Sequence, residues 1–79
     1  MKAKIYVTMK QGILDPQGKA IQASLQSLGY DGVREVRAGR YLEIDLADCP
    51  REAAMVLVRE ICDRLLANPV IEEYRFELD

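Results

Sequence analysis

The sequence has no histidine, no tryptophan, a single phenylalanine and only two cysteines among its 79 residues. Without histidine no side chain titrates near neutral pH at its ordinary value, Ser–His and Cys–His pairs cannot form, and the commonest zinc ligand is missing. Cys49 and Cys62 show no C-x-x-C spacing, so neither a zinc site nor a disulfide framework is indicated. Unpaired thiols point to the cytosol. No run of about 18 apolar residues is present, and the N-terminal MKAKIYVTMK alternates where a signal peptide would be continuously apolar. A membrane partner is therefore not expected. An excess of positive charge is missing too: 11 Lys and Arg against 13 Asp and Glu leave a net charge of −2. With only Phe76 and four tyrosines to stack on bases, no nucleic-acid partner is expected either.

The chain reads as one domain over residues 1–79, close to the size at which a single core contributes only a few kcal/mol unless something else helps. With disulfides and metals discounted, oligomerisation remains.

Within GILDPQGKA, residues 12–20, two glycines and a lysine suggest a phosphate-cradling loop. The requirement G-x-x-x-x-G-K-[ST] is not met: five residues separate Gly12 from Gly18, Pro16 has no N–H to offer, and Ala20 stands where a hydroxyl should ligate magnesium. A helix start accounts for the same letters. Asp15 is placed to accept backbone N–H bonds as the cap, and Pro16 sits where its missing donor costs nothing. Gly18 in the first turn is then costly by about 0.5–1 kcal/mol against alanine, which implies an irregular turn or a close backbone approach.

Along the chain, Ala3, Ile5, Val7 and Met9 alternate with Lys4, Tyr6 and Thr8, the pattern of a half-buried strand. A helix follows over Pro16–Leu28, with Ile21, Leu25 and Leu28 as its stripe and Gly29 as its stop. In DGVREVRAGRYLEIDL, residues 31–46, a hairpin turning at Ala38-Gly39 would mix the faces. Read as one strand, Val36, Ala38, Leu42, Ile44 and Leu46 share a parity that only Arg40 interrupts. One long strand, bent near Gly39, is the reading adopted, and its length exceeds what so small a core can cover. Asp48-Cys49-Pro50 repeats the cap-then-proline logic and opens a second helix over Pro50–Ala67, which Asn68-Pro69 closes. Its apolar residues, Leu57, Ile61, Leu65, Ala54 and Val58 among them, spread over about 180°, wider than one core contact requires. Finally Tyr74, Phe76 and Leu78 alternate with Glu73, Arg75 and Glu77 as a third strand. The order is β-α-β-α-β, and the fold class is α+β: a two-layer sandwich, related to the ferredoxin-like pattern, with an antiparallel sheet and both helices on one face.

Chemistry of the chain's own finds little footing. The carboxylates lie on solvent-facing patterns, Ser24 and Ser27 have no base, Cys62 shares the buried arc of the second helix, and Cys49 near a helix start has no partner. No catalytic residue, cofactor site or metal site is assigned. Three polar spots join special backbone residues to exposed groups: Asp15-Pro16-Gln17-Gly18, Arg37-Ala38-Gly39-Arg40 and Asn68-Pro69. They are the candidates for partner contact.

Over essentially its whole length, the chain resembles the PurS family, the small subunits of bacterial phosphoribosylformylglycinamidine (FGAM) synthase. GILDPQGKAIQASLQSLG, VREVRAGRYLEIDL and LLANPVIEEY carry the resemblance. It implies a role in de novo purine synthesis as an adaptor without catalytic residues. It also implies dimers of this chain that join a PurL-type synthetase subunit and a PurQ-type glutaminase subunit, in a complex that uses ATP and Mg. Gly18 would then admit a partner's backbone. A second resemblance, to ACT domains that bind amino acids at a dimer interface, rests on the Asp-Pro-Gly type turn after the first strand. ACT domains usually read Asp-x-Pro-Gly and accompany a catalytic domain, whereas this chain reads Asp-Pro-Gln-Gly and is expected to stand alone.

Overall fold

The computed structural model describes residues 1–79. Its elements follow the expected order: β1 (Lys2–Met9), α1 (Pro16–Ser27), β2 (Gly39–Asp45), α2 (Arg51–Ile61) and β3 (Glu72–Leu78). The three strands form one antiparallel sheet in the order β2-β1-β3, with Ile5 opposite both Leu42 and Phe76. The period-2 alternation dictates this arrangement. Ala3, Ile5 and Val7 of the central strand are buried, while Leu42, Ile44, Tyr74, Phe76 and Leu78 pack around them from the flanking strands on the same face.

α2 lies on that face. Ala54, Val58 and Cys62, four residues apart, form the buried stripe, and burial pushes the Cys62 thiol pKa up, so this cysteine behaves as a small hydrophobe. The rest of the wide apolar arc is open: Leu57 and Leu65 are exposed. At its end α2 widens into a π-helical turn over Cys62–Leu66, closed by the Ala67 N–H donating to the Cys62 carbonyl at 3.0 Å. The Asn68-Pro69 pair explains the termination, because extended backbone is favoured before proline and Ala67 is already extended.

Three expectations need correction. Asp48 does not cap α2. Pro50 occupies the cap position without a side-chain bond, and Asp48 Oδ1 lies 3.6 Å from the N-terminal ammonium instead. At α1, cap and proline are adjacent; here Cys49 intervenes and Pro50 lies outside the helix, so Asp48 is too far from the free N–H groups.

The long bent strand is also shorter than expected. Pairing begins at Gly39, opposite Thr8, and residues 33–38 run on past the last residues of β1, where the chain has no strand to pair with them. The alternation of Val36 and Ala38 reflects half-burial against α1 and its loop rather than a ladder.

Lastly, α1 does not join α2 on the core. Gly18 is its one buried residue, Ile21 and Leu28 are 40% and 73% exposed, and no α1 side chain enters the core cluster. The molecule is drawn out to 50 × 25 × 14 Å with a radius of gyration of 16.0 Å, against about 12 Å for a compact chain of this length.

Candidate functional site

The three polar spots, far apart in sequence, meet at the end of the sheet where Met9, Gly39 and Glu72 lie. Asp15 is the first link. Its Oδ1 accepts from the Gly18 N–H at 3.0 Å, capping α1, and its Oδ2 accepts from the Ala38 N–H at 2.7 Å, tying the helix start to the strand that enters β2. These two backbone donors hold the Asp15 carboxyl below its ordinary pKa, Gly18 first and Ala38 second. Asp15 is therefore a fixed acceptor and a poor proton carrier.

The glycine that local propensity disfavours is explained here. A Cβ on Gly18 would come closer than 3.0 Å to both Asp15 Oδ2 and the Val36 carbonyl oxygen. The backbone that approaches Gly18 belongs to this chain, which corrects the expectation that a partner's backbone fills the space. Gly39 is constrained in the same manner, since a Cβ there would collide with the Val7 carbonyl across the ladder.

The second link is a pair of arginines. Arg37 Nη2 donates to the Met9 carbonyl at the end of β1. Arg40 has the parity of Leu42 and Ile44, and so points toward the α2 side of the sheet, where its Nη2 donates to the Leu66 carbonyl at 2.7 Å and to Glu72 Oε1 at 2.9 Å. A guanidinium at the C-terminal end of a helix satisfies a free carbonyl and sits favourably against the helix dipole. The residue that interrupts the apolar pattern of β2 thus fastens α2 to the sheet.

Glu72 completes the third link. Its Oε1 also accepts the Asn68 N–H at 2.7 Å; Asn68 Oδ1 accepts from Val70 N–H at 3.1 Å; and Lys10 Nζ donates to the Pro69 carbonyl at 2.6 Å. Glu72 and Lys10 were absent from the sequence-derived candidates. The signal for Glu72 was available, because it is the one acid on the apolar parity of β3, as Arg40 is the one base on the apolar parity of β2. Two opposite charges on the inner face of the two outer strands, at the same end of the sheet, are each other's partner.

Two open clefts of about 340 and 370 Å³ flank the junction and share Asp15. Of the candidates, Pro16, Gln17, Arg37, Gly39, Arg40, Asn68 and Pro69 present exposed surface, whereas Gly18 is buried and Asp15 half-buried. The arrangement fixes backbone segments relative to one another and displays their outer groups. Its two carboxylates, Asp15 and Glu72, are both engaged by donors within the chain.

The family model for PurS, phosphoribosylformylglycinamidine (FGAM) synthase, matches residues 2–79. The phosphoribosylformylglycinamidine synthase subunit PurS of Synechocystis is 53% identical over 76 residues, covering 95% of this chain and 75% of the relative. The structure of Bacillus subtilis PurS superimposes with a TM-score of 0.87 at 47% identity, covering 99% of this chain and 96% of that one. A chain in the structure of PurLQS from Thermotoga maritima gives a TM-score of 0.86 at 30% identity, covering 96% and 93%. The matches favour PurS over the ACT-like reading. With the family model spanning nearly every residue and the fold shared by solved PurS structures, this chain belongs to the PurS family of FGAM synthase subunits.

Proposed function

We propose that the chain is a non-catalytic adaptor that, as a homodimer, joins the synthetase and glutaminase subunits of a glutamine-dependent FGAM synthase in the cytoplasm. The observation that carries this reading is the incompleteness of the protomer. α2 covers one face of the sheet alone, Leu42, Ile44 and Leu46 of the β2 side are only half-buried, and α1 stands off with Ile21 and Leu28 exposed. A sheet short of one helix and a helix short of one sheet are complementary. A second copy that lays its α1 on this face buries both and completes the two-helix layer.

The junction then holds the outer residues Pro16, Gln17, Arg37, Asn68 and Pro69 in a fixed relation for contact with the other subunits. A preorganised surface loses less entropy on assembly. ATP, Mg and glutamine are used by the complex at its other subunits, and this chain binds none of them. The PurLQS structure from Thermotoga maritima supports partners of the PurL and PurQ type.

The test is size-exclusion chromatography with light scattering on the chain alone and mixed with the two subunits, with Mg-ADP and glutamine present. A dimer that co-elutes with both, and glutamine-dependent activity that disappears when the chain is omitted, is the expected result. Arg37→Glu weakens co-elution if the junction is part of the contact. A chain that ignores both subunits overturns the reading.

A further inference from the structure

The face of the sheet opposite α2 is covered by no element of the chain. At its centre, Tyr6 of β1 lies against Tyr41 of β2 with ring centroids 5.1 Å apart, and the Arg75 guanidinium of β3 sits 3.9 Å above the Tyr6 ring. The three side chains are cross-strand neighbours in one row of the sheet, Tyr41–Tyr6–Arg75, so β pairing itself sets their spacing. Tyr41 is 50% exposed, and its hydroxyl donates to Glu43 at 3.1 Å. Around this centre the carboxylates outnumber the cations. On this face Glu43, Asp45, Glu73 and Glu77 stand against Lys2, Lys4 and Arg75; Glu43 pairs with Lys2 and Glu77 with Arg75, each at 3.1 Å, while Glu73, beside Thr8, has no ion-pair partner.

From this we infer that the outer sheet face is a protein-docking surface, and that its occupant is a surface of another subunit bearing lysine and arginine side chains. The inference rests on the adaptor reading above. A solvated sheet face needs only polar residues. A stacked Tyr–Tyr–Arg row is the composition found at the energetic centres of protein interfaces, where aromatic and guanidinium groups provide contact area at small cost in side-chain freedom. Here that freedom is already reduced by stacking. The surplus of carboxylates selects a basic partner and opposes nucleic acid. It also opposes a second copy of the same face, which would bring the surplus charges together. The face is distinct from the junction and from the α1 stripe.

The experiment measures binding of the full-length dimer to the separately purified synthetase and glutaminase subunits by interferometry, with light scattering of the same samples. For one of the two subunits, Tyr41→Ala and Glu73→Lys each weaken binding about tenfold or more, Lys4→Gln tightens it, and raising the salt concentration weakens the wild type. The dimer mass and circular dichroism are unchanged. Wild-type binding that none of the three changes alters overturns the inference and leaves the adaptor reading intact. Loss of the dimer in Tyr41→Ala or Glu73→Lys assigns the face to a second copy and likewise overturns it. A wild type that binds neither subunit removes the adaptor reading, and the inference with it.

Discussion

At Gly18 two rules of thumb give opposite signs, and the geometry decides between them. Alanine in the first turn of α1 gains up to about 1 kcal/mol in helix propensity. Its Cβ, however, would press on the Val36 carbonyl and on Asp15 Oδ2, and the obstructing groups are a backbone and a carboxylate bonded at both oxygens. Neither can give way without breaking the tie between α1 and the strand entering β2. Overpacking of this kind costs about 1–3 kcal/mol, so Gly18→Ala is expected to destabilise the chain in urea unfolding; a stabilised variant contradicts the geometry. Asp15 itself should write a signature in the pH dependence. Its folded-state pKa is depressed by the Gly18 and Ala38 N–H groups, so its contribution is present above the unfolded value of about 3.9 and is lost as pH falls through the lower folded value. In Asp15→Asn the amide oxygen still caps Gly18, while its NH₂ meets the Ala38 donor. The variant is expected to be less stable than wild type at pH 7, with the gap closing as the pH falls below the ordinary carboxylate value and through the depressed folded-state one. A gap of equal size across that range rules the linkage out.

Among the elements, β1, β2 and β3 were legible because a period of two with one buried face leaves a single register, and Ala3, Ile5 and Val7 declare that face at once. The start of α1 was legible because cap and proline are adjacent. The same motif one residue longer misled at α2, since capping depends on reach and Asp48 lacks it. Residues 33–38 misled for a different reason: alternation reports which side is buried, not whether a neighbouring strand exists to bond with. The junction was legible as three fragments, but their meeting depends on where the sheet ends, which no local pattern encodes. One of its ties joins three elements, Arg40 of β2 with Glu72 of β3 and the end of α2. Arg40 is more than half exposed and Glu72 is 16% exposed, so the ion pair alone contributes little; the bonds to the Leu66 carbonyl and the Asn68 N–H raise the total. Arg40→Ala is expected to cost about 1 kcal/mol. Glu72→Gln should cost less than Glu72→Ala, because the amide oxygen still accepts the Asn68 N–H. The three urea midpoints check the order, and equal losses for the two Glu72 variants would place the effect in charge alone.

For the whole molecule, the elongated shape leaves little to hold one copy together. Eight buried residues in 79, none of them polar, make a narrow core for a chain with a radius of gyration of 16.0 Å. A chain of this size that buries so little is marginal by itself, while exposed Ile21, Leu28, Leu57 and Leu65 offer the apolar area that association would remove from water. Stability should therefore be linked to protein concentration: the melting temperature of the wild type is expected to rise with concentration, as it does whenever the folded form is held by a second copy. Ile21→Glu places a carboxylate in the middle of the α1 stripe, where burial against a second copy would strand it without a partner. The variant is expected to halve the mass seen by light scattering, to melt lower than wild type, and to melt at the same temperature at every concentration. Since Ile21 is 40% exposed within the protomer, substitution there has little to disturb in an isolated chain; a variant that stays dimeric with an unchanged melting curve would show that the α1 stripe is not the surface that joins two copies.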